Sequence, residues 1–151
     1  MTTNITEIRP AVAADWPAVA GLLAAHDLPL AGVAEQLSGF VVAVDAAGSL
    51  LGVAGVERYG AAHLLRSVAV GTRQAGVGGA LVAAVLERSR REGAERIILL
   101  TTTAAGYFPR FGFQPIARSA APAELQQSIE FREACPAEAT VMELLLPLSP
   151  A

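Results

Sequence analysis

The run Arg73-Gln74-Ala75-Gly76-Val77-Gly78-Gly79 is the part of this 151-residue sequence whose residue types and spacing most directly suggest chemistry. Glycine takes up left-handed backbone conformations and lets a ligand approach the main chain closely. At the mouth of a helix such residues leave several N–H groups free to converge on one anion, and the helix dipole adds partial positive charge. A pyrophosphate is a natural guest for that arrangement. Two other phosphate-binding patterns use the same physics and do not fit. A dinucleotide fingerprint needs G-x-G-x-x-G early in a βαβ unit with an acidic residue about 20 positions on, whereas Arg-x-x-Gly-x-Gly here follows the third or fourth strand. A P-loop ends in a lysine and a hydroxyl residue, and Gly79 and Ala80 hold those places. The alternative is a tight turn that binds nothing.

Arg66 is the next candidate. Strict two-residue alternation within the apolar run 64–70 puts it on one face with Leu64, Val68 and Val70. A guanidinium facing a pocket can grip a carboxylate, phosphonate or arsinic group through two parallel hydrogen bonds; an ion pair with Glu57 or a neighbouring helix is the alternative. Arg118, Ser128, Glu130 and Phe131 fall in an irregular segment able to close over a small molecule, with loop and packing roles as the other reading and Phe131 read as core. His63, opening a strand, reads as a surface histidine rather than a base. Cys135 is the single cysteine, with neither His26 nor His63 near it in sequence. It cannot form an internal disulfide and cannot alone hold a metal, so no metal is expected. Arg88, Arg90 and Arg91 end a predicted helix, where they form a solvated face near the negative pole; contact with a bound phosphate is their second reading.

The elements that must position these residues follow from periodicity. Residues 5–9 read as a strand, and Asp15 suits the N-cap of a helix through residue 25 carrying Trp16, Val19, Leu22 and Leu23 at helical spacing. A short second helix over 32–37 precedes strands at 40–45, 50–58 and 63–70, the first two joined by the small residues 46–49. After the glycine-rich turn, Val77, Leu81, Val82, Val85 and Leu86 mark a helix that stops by Gly93. A buried strand at 97–100, a short helical piece at 104–110, a turn at Gly112, an irregular stretch through Pro136 and a last strand at 140–146 complete the order. The fold class is α+β: a mixed, mostly antiparallel twisted sheet with helices on both faces.

Composition bounds the possibilities. One domain spanning 1–151 is expected at this length. The hydrophobic fraction is 53% and the mean hydropathy +0.46, yet no apolar run reaches the roughly 18–20 residues of a membrane span. Met1-Thr2-Thr3-Asn4 has no basic-then-apolar pattern, so a cytoplasmic protein is expected. The net charge of −3 and the absence of lysine argue against nucleic-acid binding. With only 17% charged residues, exposed apolar surface that pairs two copies into a homodimer fits the composition.

Val68-Ala69-Val70, Arg73-x-x-Gly76-x-Gly78 and the amphipathic helix after them resemble the coenzyme-binding motif of the GNAT family of N-acetyltransferases. Leu99-Leu100-Thr101-Thr102-Thr103-Ala104, Tyr107-Phe108 and Phe111-Gly112-Phe113 are similar to the next strand, short helix and Gly-Phe of that family, so specific matches cover 63–113. The wording Leu65-Arg66-Ser67-Val68-Ala69-Val70 and Leu99 to Ala105, with Glu130-Phe131, Cys135-Pro136 and Met142, looks most like the small acetyltransferases associated with bacterial arsenic resistance. The Leu-Thr-Thr strand is also similar to that of the acetyltransferase domain of N-acetylglutamate synthases.

The resemblance implies an acetyl-coenzyme A-dependent N-acetyltransferase with a small amine acceptor, an amino acid or an amino-acid-like compound such as an organoarsenical, attacking directly in a ternary complex. It implies coenzyme contacts from Val68, Ala69, Val70, Arg73, Gln74, Ala75, Gly76, Val77, Gly78, Gly79, Thr101 and Phe108. It implies acceptor contacts from Arg66, Ser67, Arg118 and Glu130. The chemistry needs a base, an oxyanion donor and a path for the thiolate to leave. Glu57, at a strand end beside the motif, is the base candidate, with an exposed carboxylate or a partner of Arg58 or Arg66 as the alternative; backbone N–H groups of 68–70 would supply the donor. Three departures stand out: the spacing from Val70 to Arg73 is about two residues shorter than the usual turn of the family, Phe108 occupies the place where many members have a thiolate-protonating tyrosine, with Tyr107 about 100° away around a helix, and Thr101 replaces an asparagine. A biosynthetic amino-acid acetyltransferase and a noncatalytic acyl-coenzyme A sensor are the rival functions.

Overall fold

The computed structural model describes residues 7–71, 76–102, 104–128 and 139–146. The elements are β1 (Glu7–Pro10), α1 (Trp16–Ala25), β2 (Phe40–Val44), β3 (Leu50–Tyr59), β4 (Ala62–Val70), α2 (Val77–Arg91), β5 (Arg96–Thr101), β6 (Gln114–Ile116) and β7 (Thr140–Leu145). They form one seven-stranded sheet in the order β1-β2-β3-β4-β5-β7-β6. Every neighbouring pair is antiparallel except β4 and β5. That parallel pair needs a crossover, which α2 supplies.

Alternation along the strands divides the core. In β2, Phe40, Val42 and Val44 pack with Val19 and Leu23 of α1 on one face. Val41 and Ala43 turn to the other face, where they meet Val77, Leu81, Val82 and Val85 of α2. Both faces of the central strands are covered, which explains the near-continuous apolar reading of 40–44. Close approach requires glycine at Gly39 and Gly55: a β-carbon would stand 2.2 Å from the Val56 carbonyl oxygen at the first and 2.3 Å from carbons of the Phe40 ring at the second. The β2–β3 hairpin is held by Asp45, whose Oδ1 accepts the N–H groups of Ala47 and Ser49, each at 2.9 Å. No helix among the described residues is long and apolar enough to cross a membrane.

Four expectations change. The carboxylate of Asp15 does not cap α1; it accepts the N–H of Val12 at 2.7 Å and pairs with Arg9 at 2.8 Å, because the preceding short turn puts those donors closer. The second helix is a 3-10 segment, Ala34–Gly39, interrupted at Gln36 by non-helical dihedrals. A strand absent from the sequence reading, β6, pairs with β7 at the sheet edge; three residues containing Pro115 offer no alternation to read, and proline is tolerated at an edge. His63 is 2% exposed rather than on the surface, since α2 covers that face and provides Ser89 as its partner, with Nδ1 2.8 Å from Oγ.

Candidate active site

The glycine-rich turn leads into α2 as its sequence demands. Gly76 is the N-cap with φ 84°, a left-handed conformation that a side chain would disfavour. The first intrahelical bond runs from the Ala80 N–H to the Gly76 carbonyl at 3.0 Å, so the N–H groups of Val77, Gly78 and Gly79 are left over. The first turn of α2 carries no acidic residue, and an anion meets dipole and donors without repulsion there. Residues Arg73, Gln74 and Ala75 lie outside the described residues.

The strand feeding this turn has two irregularities. Pairing of β4 with β5 covers only Ala62↔Arg96, His63↔Ile97 and Leu64↔Ile98, although both strands continue. Beyond Leu64 the two strands part, opening a cleft edge lined by main chain from Leu65 to Val70 on one side and from Leu99 on the other. On its other side β4 bulges. Between Gly55↔Arg66 and Val53↔Ala69, β3 advances from 53 to 55 while β4 spans 66 to 69, and Ser67 takes φ 63°. An extra residue flips the side-chain alternation. Val68 and Val70 therefore pack toward α2, while Leu64 and Ala69 belong to the opposite face. Arg66 shares the Leu64 face but not that of Val68 and Val70, which corrects the single-face reading.

Beside the cleft sits a buried polar cluster. Arg66 and Glu57 are 4% and 1% exposed, so Glu57 is not the exposed strand-end carboxylate of the alternative reading. Arg66 Nη1 donates to Glu57 Oε2 at 2.6 Å and to the Ala31 carbonyl at 2.7 Å. Its Nη2 donates to the Pro29 carbonyl at 3.1 Å, and its Nε to Ser67 Oγ at 3.0 Å. Glu57 Oε1 accepts the hydroxyls of Tyr59 at 2.6 Å and Ser128 at 2.5 Å. Burial, followed by the Glu57 contact, pushes the Tyr59 phenol above its ordinary range. The cluster ties β3, β4, the loop after α1 and the segment before β7 together at one point.

The other predicted residues fall as follows. Val68 and Val70 are half-buried and Ala69 is buried, all along the parted stretch of β4. Thr101 ends β5, its Oγ1 accepting the Ala104 N–H at 2.9 Å. Phe108 is turned into the core, 5.8 Å from the Phe113 ring. Arg118 opens a 3-10 turn after β6; Glu130, Phe131 and Cys135 lie outside the described residues. Arg88, Arg90 and Arg91 stand in the last turn of the 15-residue α2, about 14–20 Å along the axis from its glycines, where Arg88 donates to the Ser38 carbonyl at 2.8 Å. Sequence reasoning missed Tyr59, which lies two residues from Glu57 on the same strand face, and the carbonyls of Pro29 and Ala31, for which a sequence carries no signal. Among the described residues no group of His, Cys, Asp and Glu gathers to hold a metal.

Comparison with known proteins agrees with this architecture. The family described as acetyltransferase (GNAT) matches residues 7–113. No curated protein matches the chain. Among solved structures, Rv2747 of Mycobacterium tuberculosis, in complex with CoA and NLQ, is 23% identical with a TM-score of 0.77, over 93% of this chain and 99% of that one. N-acetylglutamate synthase of Neisseria gonorrhoeae, complexed with coenzyme A and N-acetyl-glutamate, is 21% identical with a TM-score of 0.79. It is matched over 93% of this chain but only 35% of its own length. A GNAT acetyltransferase of Staphylococcus aureus Mu50 is 14% identical with a TM-score of 0.74, over 93% and 99% of the two chains. With the family model matched over residues 7–113, more than half of the sequence, this chain belongs to the GNAT family of acetyltransferases.

Proposed function

We propose that this family member transfers the acetyl group of acetyl-coenzyme A to the amine of a small acceptor that also carries an anionic group. The observation that carries the reading is the junction of the parted β4–β5 edge with the open first turn of α2 on one side and the buried Arg66–Glu57 cluster on the other. The glycine turn, with Gly76, Val77, Gly78 and Gly79 at its helical end and Arg73, Gln74 and Ala75 before it, would hold the pyrophosphate. The main chain of Val68, Ala69 and Val70 would face the acyl arm. In the reaction the amine nitrogen bonds to the acyl carbon, the carbon–sulfur bond breaks and the departing thiolate takes up the second N–H proton; the first, the ammonium proton, must leave beforehand.

Glu57 is the proposed destination of that proton. Both its oxygens already accept hydrogen bonds, so the proton would reach it through the Ser128 or Tyr59 hydroxyl that donates to it. Phe108 has no proton to offer the thiolate. Arg66 and Ser67, with Arg118 and Glu130, are the proposed acceptor side. Arg66 already donates to Ser67, Glu57 and the Pro29 and Ala31 carbonyls, so it would receive a carboxylate or an arsinic group only by exchanging one of these partners for it. Complexes with N-acetyl-glutamate in a structurally similar synthase support an amino-acid acceptor, and the residue wording shared with arsenic-resistance acetyltransferases supports an arsinic analogue. The test is thiol release from acetyl-coenzyme A against amino acids, their arsinic and phosphinic analogues, and the corresponding amides. Turnover is expected with the anionic acceptors; equal turnover with the amides would rule out recognition of the anionic group.

A further inference from the structure

We infer that the hydroxyl of Tyr107 is a ligand for the phosphates of the coenzyme, an inference that rests on the coenzyme site proposed above. The turn that carries Tyr107 is fixed from both ends. The Ala104 N–H donates to Thr101 Oγ1 at 2.9 Å, and the Tyr107 N–H donates to the Ala104 carbonyl at 2.9 Å. The ring is wedged edge-on against Phe108 and Phe111, with centroids 5.3 and 5.5 Å away. The Arg110 guanidinium lies 4.1 Å from the ring centroid, and its Nε donates to the Tyr107 carbonyl at 2.9 Å.

This packing delivers the hydroxyl to the first turn of α2. It lies 3.6 and 3.8 Å from where β-carbons on Gly78 and Gly79 would stand, beside the N–H groups that helix geometry leaves over. Among the described residues the hydroxyl has no hydrogen-bond partner. A half-buried phenol held this rigidly, with an arginine over its ring and helix donors next to it, is a donor aimed at an anion. Its neighbour Phe108 points into the core, so of this aromatic pair Tyr107 stands beside the glycines of α2, at the phosphate end of the cleft. Tyr107 is thus a binding residue, not the acid that protonates the thiolate.

The test compares Tyr107→Phe with the unaltered protein by calorimetric titration with coenzyme A. Loss of a hydrogen bond to a charged oxygen is expected to weaken binding about 10-fold or more. In kinetics, kcat/KM for acetyl-coenzyme A should fall by a similar factor, whereas kcat/KM for S-acetylpantetheine, which lacks the phosphates, and kcat at saturation should stay unchanged. Equal affinity of the two proteins for coenzyme A overturns the inference. So does an equal loss with S-acetylpantetheine, or a fall in saturated kcat together with loss of the alkaline limb of its pH profile. Absence of coenzyme binding by the unaltered protein would instead overturn the coenzyme site itself, and the inference with it.

Discussion

Removing the Arg66 guanidinium should be the most damaging single change in the cleft, and the structure sets the size of the effect. The Arg66 and Glu57 side chains are 0% and 1% exposed, so Arg66→Met strips the counter-ion from a carboxylate that water cannot reach. It also orphans the carbonyls of Pro29 and Ala31, although Glu57 keeps its Tyr59 and Ser128 hydrogen bonds. Breaking a buried pair from one side costs about 3–5 kcal/mol, a large share of the roughly 5–15 kcal/mol that holds a domain folded. At about 2–4 °C per kcal/mol for a chain of this size, Tm should drop by roughly 6–20 °C.

The surface pair Arg58–Glu92, with side chains 35% and 33% exposed, is the internal control: Arg58→Met should cost no more than about 1 kcal/mol. Pairing Arg66→Met with Glu57→Gln removes the stranded charge, so the double variant should lose less stability than the two single losses added together. Urea denaturation of the four variants and the unaltered protein gives these values directly. An Arg66→Met cost indistinguishable from that of Arg58→Met would refute the claim that the cluster is a desolvated ion pair.

Three further outcomes are expected. Gly76→Ala forces a side chain into a left-handed N-cap, which should cost about 1–2 kcal/mol and weaken coenzyme A binding in a titration, while leaving the circular dichroism spectrum unchanged. Gly55→Ala drives a β-carbon into the Phe40 ring and should destabilise the fold by about 1–3 kcal/mol, read from the urea midpoint. Burial holds His63 below its ordinary 6.5, with Glu92 opposing and Arg58 reinforcing the shift. The unfolded chain therefore takes up the proton first as pH falls, so stability should be complete above about pH 6.5 and decline below it. His63→Gln should flatten that decline below about pH 6.5.

The fold was legible in the sequence wherever a pattern was long enough to carry a period. The 40–44 and 50–58 strands and the α2 helix show continuous or periodic apolar runs, and Gly76 and Gly93 punctuate the helix where left-handed turns occur at both ends. β6 was hidden because three edge residues with a proline have no period. The bulge was hidden for a different reason: Ser67 adopts φ 63° without the glycine that usually announces it, and its side chain is instead tethered to Arg66. That one extra residue reversed the face assigned to Val68 and Val70. The Glu57–Arg66 pair was readable as one alternative among others, but Ser128, 71 positions from Glu57, is brought to it only by the tertiary fold. The turn glycines and the Tyr107-Phe108 sequence could be read for coenzyme chemistry; which ring faces the cleft depends on the packing of Phe108 against Phe113, which sequence spacing does not determine.

The most direct test of the central claim is to incubate the purified protein with acetyl-coenzyme A and the amino acids and arsinic analogues of the acceptor panel, then quantify free coenzyme A and acetylated acceptor by mass spectrometry. Equal amounts of coenzyme A and a single N-acetylated anionic acceptor, with the protein itself left unacylated, is the predicted result. Coenzyme binding with no acetylated product across the whole panel would contradict it and mark the chain as a coenzyme sensor.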